Sequence, residues 1–310
     1  MRVLVVGASG AIGTRLVPQL RERGHEVIGS SLSSTKSERL RALGSQPIVL
    51  DALDADAVRT AVAASRPDAV IYEATSLADL RDFKHFDRSF AQTNRLRTAG
   101  VDILIAAARE AGVGRIVAQS YAPIRYERKG GPVKSEDDPL DASPPAAMRE
   151  TVAAMAHLDK AVTDAGGIAL RYGSFYGDPA DPLSNAVRAR KWPIIGDGAG
   201  VASWIHLEDA AAATVLALER ELPAIYNIAD DEPAPARVWL PELAKILGAP
   251  PPLRLPRLMA RLLAGQALVV MSTESRGASN AKAKRELSWK PRYPSWRQGF
   301  AAAYGPALSQ

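Results

Sequence analysis

Val3-Leu4-Val5-Val6-Gly7-Ala8-Ser9-Gly10-Ala11-Ile12-Gly13 is the stretch whose reading decides the fold. Four apolar residues run into three spaced glycines, and a helical pattern follows over about Ala11–Arg23. Gly7 permits a tight turn, Gly10 lets the backbone approach a pyrophosphate, and Gly13 lets the helix pack against the strand. The free N–H groups and positive dipole end of the helix complete an anion cradle. Three glycines at this spacing say little alone. Between a buried strand and an amphipathic helix they read as a dinucleotide-binding loop. The reading makes Gly7, Ser9, Gly10, Ala11, Ile12 and Gly13 cofactor contacts.

Outward from this loop, short apolar runs alternate with longer helical patterns. Glu26–Ser30, Pro47–Leu50, Ala69–Tyr72, Arg115–Gln119 and Gly167–Arg171 are each bounded by polar turns, as strands buried on both faces of a parallel sheet would be. Their interval gives βαβ units, and therefore a Rossmann-type, doubly wound α/β sheet. The rhythm changes after about Gly177. Glycine and proline become denser, and all five tryptophans (Trp192, Trp204, Trp239, Trp289, Trp296) lie beyond that point. Residues 1–177 therefore read as the cofactor-binding domain, with 205–230 returning to it. Residues 178–204 and 231–310 read as a smaller C-terminal substrate-binding lobe.

Within that second part, Leu207–Glu219, Arg237–Leu247 and Pro294–Tyr304 have helical patterns, and Ala224–Ile228 reads as a strand. Ala249–Pro256 is proline-rich and reads as a stiff connector without regular structure. Leu258–Met271 reads as an amphipathic helix packed on its own domain.

Composition narrows the function. With no cysteine, disulfides, thiolate metal sites and cysteine nucleophiles are excluded. The four histidines (His25, His85, His157, His206) have no metal-ligand spacing, so no metal is expected. Apolar runs reach only about ten residues, too short to span a bilayer, and Met1-Arg2 leads directly into the first strand. A cytoplasmic protein without a membrane partner is expected. The net charge is 39 − 34 = +5, with a pI near 9.4. Acids are interleaved with the bases, which argues against nucleic acid and for attraction of a phosphorylated cofactor.

The end of the second strand bears on which cofactor. A carboxylate there would bond the ribose hydroxyls of NAD. Gly29-Ser30-Ser31-Leu32-Ser33-Ser34-Thr35-Lys36 offers hydroxyls and a lysine instead, with no acid before Glu38. NADP(H) is therefore favoured over NAD(H), through Ser30, Ser31 and Lys36, although no arginine follows to form a charged fork. Asp51 and Ala52, after the third strand, are placed to meet the adenine.

These residues resemble the extended short-chain dehydrogenase/reductases, the NAD-dependent epimerase/dehydratase group. The likeness rests on the glycine loop, Asp51-Ala52, Glu73-Ala74-Thr75, Gln119-Ser120, Leu170–Gly177, Trp204–Ala210, Tyr226–Ile228, Ser279-Asn280 and Glu286–Pro291. It implies a catalytic Ser, and a Tyr-x-x-x-Lys pair on the helix after the fifth strand. It also implies cofactor contacts at Ala74 and Thr75, a small-molecule substrate, and the homodimer common in the family.

Ser120 fits the serine. Counting back from Asp159, however, puts Thr151 at the tyrosine position and Met155 at the lysine position. None of the eight tyrosines has a lysine four residues on. The usual pair is absent.

Tyr121 and Tyr126, expected in the loop beyond the fifth strand, are the nearest replacement acids. Thr151 and Tyr176 are expected at the substrate. Asn94 and Arg97 lie near the family's active-site asparagine. His206 reads as a strand-to-helix junction, and Glu127–Asp138 as a solvated loop. The expected activity is an NAD(P)-dependent oxidoreductase or epimerase-like enzyme acting on a carbonyl, hydroxyl or imine of a small metabolite. Two alternatives stand beside it: a cofactor-binding sensor without turnover, and a non-redox isomerase or lyase on the same fold.

Overall fold

The computed structural model describes residues 1–77, 82–178 and 181–305 of the chain. Its centre is a seven-stranded parallel sheet. The strands are β1 (Arg2–Val6), β2 (Glu26–Ser31), β3 (Gln46–Val49), β4 (Ala69–Tyr72), β5 (Arg115–Tyr121), β6 (Ile168–Tyr172) and β7 (Ala224–Ile228). They are ordered β3-β2-β1-β4-β5-β6-β7. The order reverses between β1 and β4, and the crevice at such a switch point is where open α/β sheets bind ligands.

The two-residue period of a strand sends alternate side chains to opposite faces. Val3 and Val5 join Ile71, Val117 and Leu170 on one face, under α1 (Gly13–Glu22) and the alanine-rich α8 (Leu207–Leu218). Leu4 and Val6 join Val70, Tyr72 and Ala118 on the other. That second face is covered by α3 (Ala55–Ser65), α5 (Val101–Glu110) and α6 (Arg149–Asp164). Each aliphatic side chain buried this way contributes about 1.5–3 kcal/mol relative to exposure, so both faces specify the register.

The C-terminal part has its own core, in which Trp204, Trp239, Trp296 and Phe300 meet edge to face or tilted. There α9 (Ala236–Ile246) and α12 (Trp296–Tyr304) pack together. Among the described residues, no helix is long and apolar enough to cross a membrane.

Four local expectations change. The proline-rich connector is not wholly irregular, because Arg254–Leu255 pairs with Ile194–Ile195. Glu127–Asp138 is no free flap: Val133–Lys134 pairs with Gly277–Ala278, and Arg128 bridges to Glu274 at 2.9 Å. Tyr176 lies in a short strand, Ser174–Tyr176, paired with Trp204–His206, rather than in a loop.

The helix expected over Leu258–Met271 spans α10 (Arg257–Thr273), and only its second half packs as foreseen. Gly265 breaks it with a φ of 86°. Before that break, Leu258, Met259, Leu262 and Leu263 are exposed. Beyond it, Ala267, Val269 and Val270 are buried.

Candidate active site

The phosphate loop is assembled as its glycines require. Gly7 has a φ of 90°, and a Cβ there would lie 2.8 Å from the backbone of Glu73. A Cβ on Gly13 would overlap the Ala8 backbone, so only glycine lets α1 start this close to β1. A Cβ on Gly10 would meet only the Gly7 carbonyl, at 3.2 Å, and Gly10 and Ala11 face open space. No side chain caps α1. The N–H groups of Thr14 and Arg15 already bond the Gly10 and Ile12 carbonyls, so a ligand would meet the N–H groups that precede them, toward the glycine loop. This cradle fits a dinucleotide pyrophosphate.

The strand-end residues share this crevice unequally. Ser30 is buried and its Oγ accepts from the Gly7 N–H at 3.1 Å, which braces the loop. Ser31 is also buried and donates to the Ser33 carbonyl at 2.7 Å. Lys36 is exposed at the end of a short 3₁₀ turn, Ser34–Lys36. Asp51 is exposed and accepts from the Leu53 N–H, while Ala52 is buried. Ser9, Ala74 and Thr75 are half-buried around the loop.

Ser120 and Tyr121 end β5 rather than beginning a loop, and pair with Arg171 and Tyr172 of β6. The β ladder thus fixes both backbones at the carboxyl edge of the sheet, the side on which the loop opens. Ser120 is fully buried and its Oγ accepts from Arg125 Nη1 at 3.2 Å. Tyr121 is half-buried, with its hydroxyl 3.3 Å from Ser174 Oγ. Burial raises the phenol's pKa, and the Arg97 charge acts against that rise.

Tyr126 is elsewhere. It bridges to Leu140, donates to Asn227 Oδ1 at 2.6 Å and accepts from Arg171 Nη1 at 3.1 Å. Its hydroxyl is held within a buried network. Tyr176, expected at the substrate, packs against His206 and Phe300 in the C-terminal core, only 2% exposed.

The helix that should carry the tyrosine–lysine pair is α6. Met148 provides no cap for it. Asp87, on α4 (Phe86–Arg95), does so from outside: its carboxylate accepts from the N–H groups of Glu150 at 3.1 Å and Thr151 at 2.9 Å. The Thr151 hydroxyl donates to the same carboxylate at 2.7 Å and accepts from Asn94 Nδ2 at 3.0 Å. Met155, one turn on, is fully buried among Phe86, Phe90, Ile124 and Met148. Of the two residues that the count along this helix singled out, then, Thr151 anchors a helix and Met155 fills a core.

Charged residues whose pairing the sequence does not reveal surround Ser120. Asp159 Oδ2 accepts from Arg125 Nη1 at 2.8 Å and Arg171 Nε at 2.7 Å, with all three side chains buried. Arg97 lies in a π turn over Leu96–Gly100, between α4 and α5. It is 2% exposed. Burial, and then the nearby Arg125 charge, lower its pKa to about 10.

Glu73 is buried beneath the loop, bonded by the Tyr172 hydroxyl at 3.2 Å. Burial lifts its pKa to about 8. His206 is a junction residue: its Nδ1 accepts from the Glu208 N–H at the start of α8. Burial lowers its pKa to about 4. The π turn, of a kind frequent at functional sites, leaves no mark in the sequence. An arginine in a loop gives no hint that it folds inward. Among the described residues, no group of three or more His, Asp or Glu is placed to hold a metal ion.

Comparison with known proteins adds to this geometry. The pattern of the "NAD dependent epimerase/dehydratase family" matches residues 3–229. A "3-diazoavenalumate denitrifying reductase" from Streptomyces sp is 45% identical over 309 residues, which cover 97% of this chain and 99% of the relative. Among solved structures, a UDP-glucose 4-epimerase from Thermotoga maritima superposes with a TM-score of 0.79 at 21% identity. The match covers 98% of this chain and 97% of that one. A human epimerase family protein, solved with NADPH, gives 0.76 at 20% identity, over 98% and 99% of the two chains.

Proposed function

The chain belongs to the NAD dependent epimerase/dehydratase family, and from that premise we propose that it is an NAD(P)H-dependent reductase of a small molecule whose reducible group is a diazo function. The observation that carries this reading is the state of α6. Thr151 and Met155 are buried and engaged where the family's proton-transfer pair would be. Reduction of a ketone needs a proton as well as a hydride, and a positioned donor is worth roughly 10²–10⁴-fold in rate. Replacing an aryl diazonium group by hydrogen balances without one: ArN₂⁺ and hydride give ArH and N₂. The relative at 45% identity carries a diazo compound and the word denitrifying in its name, which supports the same choice.

When bound, the nicotinamide would supply the hydride. The loop from Gly7 to Gly13 and the positive end of α1 would hold the pyrophosphate, with Ala74 and Thr75 beside it and Asp51-Ala52 toward the adenine. Preference for NADP(H) is supported by the strand end of β2, where no carboxylate stands and Lys36 is exposed. Ser31 has its hydroxyl engaged internally, so Lys36 is the stronger candidate for a 2′-phosphate.

We assign Ser120 to orienting the reacting group. Tyr121 is the nearer hydroxyl for substrate contact, and Tyr126 a positioning residue through Asn227 and Arg171. Thr151 becomes an anchor for α6, and Tyr176 a core residue of the C-terminal lobe. Residues 1–177 with 205–230 would bind cofactor, and 178–204 with 231–310 would cover the substrate.

The test is NADPH consumption with an aryl diazo compound and with the matching aryl ketone, for the wild type and Tyr121→Phe. The reading predicts turnover of the diazo compound only, with Y121F retaining most of it. Turnover of the ketone, abolished in Y121F, would make the protein an ordinary carbonyl reductase with a relocated tyrosine. Consumption of NADPH with neither would overturn the reductase reading.

A further inference from the structure

More positive charge is buried beside Ser120 than its surroundings neutralise. Arg97, Arg125 and Arg171 are 2%, 0% and 4% exposed. Asp159 is the carboxylate that the described residues place against them, and it uses only Oδ2, for Arg125 and Arg171. Arg171 completes its bonding with the Tyr126 hydroxyl at 3.1 Å and the Glu136 carbonyl at 3.4 Å. Arg125 and Arg97 do not. Nε and Nη2 of Arg125, and Nε and Nη1 of Arg97, have no acceptor among the described residues. Glu136 lends no carboxylate to the arginines at hydrogen-bond distance; its Oε1 accepts from the Asn227 N–H at 2.7 Å.

A guanidinium is a fixed fork of five donors that keeps its charge. Buried donors in native proteins are almost always paired, and a charge out of water needs a counter-charge. Two such forks, mutually repelling and incompletely paired, describe the protein half of an anion site. The surroundings select the anion. Tyr121, next to Ser120, and Ile124, next to Arg125, pack with Phe86, Phe90, Met148 and Met155. A strongly hydrated phosphate is poorly matched to that wall. A planar carboxylate on an apolar or aromatic body is matched at both ends, since guanidinium and carboxylate geometries pair bidentately.

We propose that Arg97 and Arg125 bind the carboxylate of the substrate, whose apolar or aromatic body lies against the Phe86–Met155 cluster, with Arg97 as the specificity-determining residue. The proposal rests on the reading of this chain as a reductase of a small molecule. It makes the buried guanidinium pair the recognition element and leaves Ser120 to the reacting end.

The test uses the full-length protein and two probes that differ in one charge: cinnamate and cinnamamide. Calorimetric titration of the wild type, saturated with NADP⁺, should give cinnamate an advantage of about tenfold or more, the scale of a charge-assisted pair. Arg97→Gln should bring the two probes within about twofold of each other, a loss of roughly that one pair. Because R97Q removes a core side chain, the wild type is also melted with each probe. Cinnamate should raise its Tm and cinnamamide should not, a result that needs no variant.

Equal binding of the two probes by the wild type, binding of neither, or an undiminished preference in R97Q each overturns the proposal. NADPH titration of the same preparation separates the two levels. Firm NADPH binding without carboxylate preference removes only this inference, whereas absence of NADPH binding removes the reductase reading.

Discussion

The loop after β1 and the first turns of α6 stand at the same carboxyl edge of one sheet, and they are finished in opposite ways. The loop presents backbone: Gly10 and Ala11 are exposed, no side chain caps α1, and the glycines hold everything else back. The start of α6 is closed. Its free N–H groups are capped by Asp87 from a neighbouring helix, its threonine is bonded on both sides, and its methionine is buried. The first region is open backbone; the second is a piece of core. On the proposed reading, the loop is the apparatus for holding a nucleotide, while Thr151 and Met155 serve structure. Such a site suits a reaction in which the substrate needs no proton from the protein.

This contrast can be broken or sharpened by substitution. The largest effect is expected at Asp159, further along α6. Asp159→Ala leaves Arg125 and Arg171 buried without their shared carboxylate. Loss of one partner of such a group costs about 3–5 kcal/mol, and chemical denaturation should show it. A loss below about 1 kcal/mol, the scale of an exposed pair, would mean the cluster is hydrated and α6 is not closed.

At the loop, Gly10→Ala should separate binding from folding. The new methyl group meets only the Gly7 carbonyl but occupies the space a pyrophosphate needs. NADPH affinity should fall by about 10–100-fold, or roughly 1.4–2.8 kcal/mol, with the melting temperature little changed. Unchanged affinity would show that the open face of the loop is not the cofactor cradle.

Asp87→Ala should have the converse signature. It removes the external cap of α6, and the cost should be about 1–2 kcal/mol of stability. Cofactor affinity measured on the folded protein should stay as it was. A loss of NADPH binding as large as that in G10A would show that the two regions are coupled, not merely adjacent.

An effect that only pH reveals lies beneath the loop. The carboxyl of Glu73 has its pKa raised by burial from 4.5 to about 8. The folded state therefore binds more protons than the unfolded state across that window, so this group's contribution to stability is complete below about pH 4.5 and lost as pH rises through about 8. Glu73→Gln should flatten the fall in Tm over that range. An equally steep fall in E73Q would assign the slope to other groups, of which Asp230, also raised to about 8 by burial, is the first candidate.

The two regions also differ in how far they can be read from sequence. The loop is legible because its physics is local. Strand, three glycines and helix follow one another, and each glycine's task is set by its immediate neighbours. The unbroken apolar run Val3–Val6 is local in the same sense, and such runs, bounded by polar turns, led directly to the parallel sheet.

The α6 region was legible only as an absence, in Thr151 and Met155. What those residues do depends on Asp87, 64 positions away from Thr151. Arg125 showed the same limit. Four residues after Tyr121 it has no helical phase to place it, and only the turn beyond β5 carries it inward to Ser120 and Asp159. Tyr126 and Tyr176 were reasonable acids or contacts by position. Their hydroxyl environments were set by Asn227, Arg171, His206 and Phe300, none of them near in sequence.

The most direct test of the central claim is a stoichiometry. The purified protein is given limiting NADPH and an excess of an aryl diazo compound, and dinitrogen release is measured against cofactor oxidised. A loop that holds the cofactor, beside a site that supplies no proton-transfer pair, predicts one dinitrogen for each NADPH. Oxidation of NADPH without dinitrogen, or dinitrogen released independently of NADPH, would contradict the account.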